Sequence, residues 1–93
     1  SRFVYGERIT AEKLAAVDKA EQLLWELGFK QFRVRVHGSL ARVELLSEQL
    51  EQAVVEPMRS TIYKGLKDAG FAYVALDLQG YRTGSMNETL KQD

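Results

Sequence analysis

Between Phe32 and Leu45 the apolar residues fall at every second position on either side of a glycine-serine pair, and that alternation constrains the fold more than any other feature. Phe32, Val34 and Val36 alternate with Arg33, Arg35 and His37. Beyond Gly38 and Ser39, Ala41, Val43 and Leu45 alternate with Arg42 and Glu44. A period of two belongs to strands with one buried face. Glycine followed by serine suits the two central positions of a type II′ turn, in which glycine takes the left-handed first position. The spacing predicts a hairpin in which Val36 faces Ala41, Val34 faces Val43 and Phe32 faces Leu45. Both apolar rows then lie on one side, whereas a slip of one residue would turn one of them to solvent.

Helical periodicity flanks this hairpin. Leu14, Val17, Ala20, Leu24 and Leu27 form an apolar stripe over residues 11–27. Thr10 suits the N-cap, Glu12 suits the positive helix end, and Gly28 suits the C-terminal cap. Glu21 falls within the stripe. After the hairpin, Ser47 is expected to cap a short helix from Glu48 to about Val55. Glu56-Pro57 breaks it, because the residue before proline avoids helical angles and proline favours the first turn of a new helix. Met58, Ile62, Leu66 and Ala69 stripe that next helix, which Gly70 ends. Residues 71–78 read as a third strand, with Val74, Leu76 and Leu78 on its apolar face and Tyr73, Ala75 and Asp77 on the other.

A weak repeat runs through the chain at an offset of 42 residues, matching Gly28-Phe29 with Gly70-Phe71, Phe32/Val34/Val36 with Val74/Leu76/Leu78, and Gly38 with Gly80. Two similar helix-to-strand units packed into one sheet give an α+β fold. The expected form is a small two-layer sandwich with a three-stranded mixed or antiparallel sheet, helices on one face, and the order α-β-β-α-α-β. Residues 1–10, with Phe3, Val4 and Tyr5 before Gly6, read as an extended lead-in; residues 11–80 form the α+β domain; residues 81–93 form a polar tail.

Composition narrows the chemistry. The chain of 93 residues has 13 basic and 13 acidic side chains, 45% hydrophobic residues, one histidine and no cysteine. Without thiols it holds no disulfide, zinc-cysteine site or cysteine nucleophile, and one histidine builds no multi-histidine metal centre. Balanced charge argues against a generally basic nucleic-acid surface. The sequence has no signal peptide and no apolar run near the length of a membrane span, so no membrane contact and a cytoplasmic setting are expected.

Charge has to be read locally. With helices covering the face of Phe32, Val34, Val36, Val43, Leu76 and Leu78, the opposite face carries Arg33, Arg35, His37, Arg42, Glu44 and Asp77. The register sets Arg33 across from Glu44, a favourable pair, and Arg35 across from Arg42, an unfavourable one. A bound anion or a carboxylate from another surface is the simplest compensation, and arginine's planar fork suits phosphate. A solvated face on which the two arginines splay apart is the plainer alternative. His37 would hold a metal only if Glu44 or Asp77 converged on it, and Glu21 reads as a rim carboxylate paired with a nearby arginine. The glycine-rich stretch Gly80-Tyr81-Arg82-Thr83-Gly84-Ser85 lacks the lysine and following helix of a P-loop.

Several motifs in order carry a resemblance over nearly the whole chain: Ser1-Arg2-Phe3-Val4-Tyr5-Gly6-Glu7, Gly28-Phe29, Arg33-Val34-Arg35-Val36-His37-Gly38, Leu40-Ala41-Arg42-Val43-Glu44, and Tyr73 through Gly80 into Tyr81-Arg82-Thr83-Gly84-Ser85-Met86-Asn87-Glu88. The chain resembles the C-terminal part of the ATP-dependent sacrificial sulfur transferases. These belong to the PP-loop ATP pyrophosphatase superfamily and act in making the nickel-pincer nucleotide cofactor. The resemblance implies a preceding N-terminal domain that binds ATP and magnesium and adenylylates a carboxylate of a pyridinium mononucleotide, which is then replaced by a thiocarboxylate. It also implies a sulfur-donating cysteine shortly before Ser1. Ser1, Arg33, Arg35 and Arg82 would handle substrate and phosphate, with Glu21 and Glu44 as supporting carboxylates. No catalytic residue and no resident cofactor is expected in this region, which alone would be inactive. The partners implied are its own ATP pyrophosphatase domain, a mononucleotide substrate and further copies of itself. An oligomerisation module, built on the charged face or on Phe3-Val4-Tyr5, and a free-standing regulatory domain that binds a small molecule are the alternatives.

Overall fold

The computed structural model describes residues 2–81. In chain order it contains α1 (Ala11–Glu26), β1 (Phe32–His37), β2 (Leu40–Leu45), a 3-10 turn (Ser47–Gln49), α2 (Leu50–Val54), α3 (Met58–Ala69) and β3 (Tyr73–Leu76). The sheet order is β1-β2-β3, with β1 antiparallel and β3 parallel to β2. This is the expected α+β order, and the sheet is mixed. The hairpin register is the expected one at every pair, from Phe32 opposite Leu45 to His37 opposite Leu40, and Gly38 takes φ 60° at the turn.

The core lies between the inner sheet face and the helices. Val34, Val36, Ala41, Val43 and Leu45 meet Val17, Ala20 and Leu24 of α1 and Ile62 and Leu66 of α3, all of them buried. On α1 the buried arc runs through Ala16, Val17, Ala20 and Leu24, which leaves Leu14 at its rim, 39% exposed. Gly65 lets α1 approach α3, because a β-carbon there would fall 2.1 Å from Leu23 Cδ2.

The repeat has a structural counterpart. α1 ends with the Phe29 N–H donating to Leu24 O and the Gly28 N–H to Trp25 O; α3 ends with Phe71 donating to Leu66 O and Gly70 to Lys67 O. Each is a Schellman motif closed by a glycine at positive φ and sealed by a buried leucine-phenylalanine pair. The same device twice turns a helix into a strand of one sheet.

Two local expectations, the Ser47 cap and the inward Leu78, are corrected, and Glu56 adds a contact at α3. Ser47 makes no capping bond and instead opens the 3-10 turn, in which the Gln49 N–H donates to Leu46 O. The first turn of α3 is satisfied by Glu56, whose carboxylate accepts from the Ser60 N–H and hydroxyl at 3.1 and 2.8 Å. Leu78 is 86% exposed and not on the apolar face. Asp77 donates its N–H to Val43 O, but the next bond to β2 comes from Tyr81 to Leu45 O, so Leu78, Gln79 and Gly80 loop out of the ladder.

The lead-in is part of the fold. The Val36 N–H donates to Arg2 O at 2.7 Å, Phe3 bridges Val36 in parallel and packs against the core, and Val4 to Glu7 turn back on themselves. Glu7 then fastens two elements, accepting from the Gly38 N–H of the hairpin turn and pairing with Lys13 of α1. Thr10 caps α1 by accepting from the Lys13 N–H.

Two predictions follow from these contacts. Gly28→Ala forces a side chain into positive φ with no steric clash, so urea unfolding should show a loss of about 1–2 kcal/mol from backbone strain; an unchanged midpoint would refute the capping role. Glu7 is held below its ordinary value by Lys13 and the Gly38 N–H, and Glu56 by the Ser60 hydroxyl and N–H. The unfolded chain therefore binds more protons through that range, so the stabilisation is full above the ordinary glutamate value of 4.5 and fades as pH falls below it. Melting temperatures measured between pH 7 and pH 3 should fall more steeply for the native sequence than for Glu7→Gln.

Candidate functional site

The outer face of the sheet is built by the same alternation that builds the core. Arg33, Arg35 and His37 project from β1 on the side opposite Val34 and Val36, and Arg42 and Glu44 project from β2 opposite Val43. Parallel pairing carries Asp77, just past β3, to the same side. The two arginines set face to face by the register are reconciled by one carboxylate. Glu44, only 6% exposed, accepts from Arg35 Nε at 3.3 Å and from Arg42 Nη1 at 2.9 Å through the same oxygen. Arg42 also pairs with Asp77 and donates from Nε to His37 Nε2 at 3.2 Å. The compensation for the like-charge pair thus comes from the sheet itself.

Glu44 is opposite Arg33 in register, but its carboxylate turns diagonally to Arg35 and Arg42. Arg33 instead lies over the Tyr81 ring, 5.7 Å from its centroid. Three guanidinium groups therefore face two carboxylates, and among the described residues Arg33 is the one of the three with no ion pair to either.

Asp77 organises the end of this face. Its Oδ1 accepts from the Gln79 N–H at 2.9 Å and its carbonyl accepts from the Gly80 N–H. Burial pushes its carboxyl up, but the Gln79 N–H and Arg42 outweigh this and hold it below the usual aspartate range. Gly80 sits at φ 89°, and a β-carbon on it would lie 2.8 Å from Leu45 O. The glycine is what lets Tyr81 return to β2 and reach Arg33.

The structure brings Arg33, Arg35 and Glu44 together on this face. Glu21 belongs to a different cluster, where it and Asp18 on α1 hold Arg2 of the lead-in at 2.9 and 3.2 Å. Ser1 and Arg82 lie outside the described residues. No group of three or more histidine, cysteine, aspartate or glutamate side chains is placed to hold a metal ion among the described residues. Glu44 and Asp77 approach each other, but Arg42 already sits between them with a positive charge. Sequence reasoning missed Tyr81, whose signal was the match of Gly80 to the turn glycine Gly38.

No family profile matches the chain. It is 47% identical over 90 residues to an uncharacterized protein of Synechocystis sp. and 42% identical over 90 residues to the pyridinium-3,5-bisthiocarboxylic acid mononucleotide synthase of Lactiplantibacillus plantarum. Each alignment covers 97% of this chain but 34% and 32% of those proteins, so the chain spans about a third of the length of the curated relatives it matches. No helix among the described residues is long and apolar enough to cross a membrane.

Removing Glu44 would leave Arg35 and Arg42 opposed with no shared carboxylate. Glu44→Ala should lower unfolding stability by about 1–3 kcal/mol, less than for a fully buried pair because Arg42 is partly exposed and keeps Asp77. Urea denaturation measures this, and a loss below about 1 kcal/mol would show that solvent, not Glu44, balances the arginines. Gly80→Ala should cost more than Gly28→Ala in the same measurement, because it adds a backbone clash to the strain.

Proposed function

We propose that this chain is the substrate-side region of an ATP-dependent sulfur transferase in nickel-pincer nucleotide biosynthesis, and that its outer sheet face binds the phosphate of a pyridinium mononucleotide. The observation that carries this reading is the face on which three arginines meet two carboxylates. The name of the Lactiplantibacillus plantarum relative supplies the class of substrate. A mononucleotide phosphate carries nearly two negative charges at neutral pH, and a guanidinium can grip two of its oxygens at once.

In the reaction this reading implies, a carboxylate oxygen of the substrate attacks the α-phosphorus of ATP and pyrophosphate leaves. A sulfur nucleophile then attacks the acyl carbon, the carbon–sulfur bond forms and AMP leaves. ATP, magnesium and the sulfur donor are assigned to the part of the polypeptide that the relatives carry beyond this region, since the present sequence has no glycine-rich loop with a phosphate-binding lysine. Arg33 and Arg35 supply binding and orientation: fixing the phosphate fixes the ring and its carboxyl groups relative to the reacting centre. Glu44 holds Arg35 and Arg42 in one pose, so that the positive face is set before the substrate arrives. Ser1, Arg82 and Glu21 are proposed as further substrate-side groups, and the cytoplasm as the setting.

Calorimetry on the full-length protein with nicotinic acid mononucleotide tests the assignment. Loss of one charge-assisted contact corresponds to about 1.5–3 kcal/mol, so Arg33→Ala should weaken binding roughly ten- to a hundredfold, and Arg33→Lys by less. Equal affinity in Arg33→Ala and the native protein would refute it.

A second role, assembly, is favoured by β3. It pairs only with β2 among the described residues. It also borders a groove of about 260 Å³ lined by Val54, Tyr63, Val74 and Leu76. Val54 and Tyr63 of its lining are each about half exposed. We assign this edge to contact with a second copy of the chain, since an uncharged open strand pairs readily with its like. Light scattering should show a lower mass for full-length Val54→Glu; an unchanged assembly would exclude this edge.

A further inference from the structure

We propose that Tyr81 is the residue that aims Arg33, so that the anion site depends on the loop after β3 as much as on the hairpin. The inference rests on the phosphate reading above and adds a positioning residue to it.

Arg33 lacks the carboxylate partner that its place in the register suggests. Its cross-strand neighbour is Glu44, yet that carboxylate turns its Oε2 to Arg35 and Arg42. A long side chain left without that partner has several free torsions, and fixing it on a ligand costs rotamer entropy each time. The Tyr81 ring, 5.7 Å from the guanidinium carbon, supplies the missing restraint, because a guanidinium held against an aromatic face has its N–H edge turned outward.

Tyr81 is itself held by backbone, which makes it a fixed platform. Its N–H bonds to Leu45 O, the preceding Gly80 packs where a β-carbon would meet that same carbonyl, and Asp77 closes the turn through Gln79 and Gly80. Asp77 also pairs with Arg42, so one carboxylate ties the platform to the arginine cluster. The looped-out Leu78 follows from this design. Continuing β3 in register would place Leu78 in the core and leave Arg33 without an aromatic neighbour.

The test uses the full-length protein with inorganic phosphate and with nicotinic acid mononucleotide. Tyr81→Phe keeps the ring and should bind like the native protein. Tyr81→Leu should weaken phosphate binding about three- to tenfold, raising KM with kcat nearly unchanged. In the Arg33→Ala background, Tyr81→Leu should then have no further effect. A directly structural readout accompanies these: with 15N-arginine labelling, the Arg33 Nε–H resonance should carry a ring-current shift that Tyr81→Leu abolishes and Tyr81→Phe retains. If Tyr81→Leu weakens binding equally with and without Arg33, the tyrosine acts on the ligand or on folding and the positioning role is wrong. It is also wrong if Tyr81→Leu removes the ring-current shift while phosphate affinity stays unchanged and Arg33→Ala still loses it. If Arg33→Ala itself binds phosphate normally, the phosphate reading fails first, and the Tyr81 inference falls with it.

Discussion

The buried carboxylate of Glu44 is what allows β1 and β2 to carry Arg35 and Arg42 opposite each other. Everything on the outer sheet face is arranged around that choice. Because one oxygen of Glu44 accepts from both arginines, each guanidinium is drawn toward the strand interface and not splayed into solvent. Because Glu44 turns toward that pair, Arg33 is released from its cross-strand partner. Because Arg42 is anchored at one end, its other contacts can bring in Asp77 and with it the loop that returns through Gly80 to Tyr81. A buried ionic group is weak support for net stability, since desolvation opposes the Coulomb gain. Its contribution here is specificity of arrangement: it decides which arginines share its charge and which lies against Tyr81 instead.

The core and the arginine face share one cause, the period of two between Phe32 and Leu45. That is why so much of the fold was legible in the sequence. A hairpin register has only two sidedness options once both rows are apolar, and the turn glycine chooses between them. The helix-to-strand junctions were equally legible, because Gly28-Phe29 and Gly70-Phe71 specify a local hydrogen-bond pattern that needs no distant partner. What sequence reading misjudged depends on contacts far apart in the chain. Leu78 continues a correct alternation, and only the return of Tyr81 to Leu45 removes it from the core. Ser47 is a good cap by residue type, but the turn that forms there takes its bond from Leu46, while Glu56 caps α3 across the proline.

For the candidate site the division is the same. Which residues share the outer face was readable from alternation. Who pairs with whom was not, because the diagonal reach of Glu44 exceeds the directly opposite pairing that register describes. Glu21 shows the reverse case: a carboxylate in an apolar stripe suggested a paired rim residue, and its partner is Arg2 of the lead-in, 19 residues away in sequence.

That pairing bears on how the lead-in is held beside the arginine face. The lead-in joins the fold along β1, where Arg2 accepts from the Val36 N–H, and Glu7 fastens it to the hairpin turn. Val36 is one residue from Arg35 and three from Arg33 on the same strand, which at about 3.3 Å per residue is roughly 3 and 10 Å along β1. The lead-in is therefore held beside the arginines of the proposed phosphate site, on the strand that bears them. One strand thus serves both: the edge of β1 away from β2 bonds the lead-in, and its outer face carries Arg33 and Arg35.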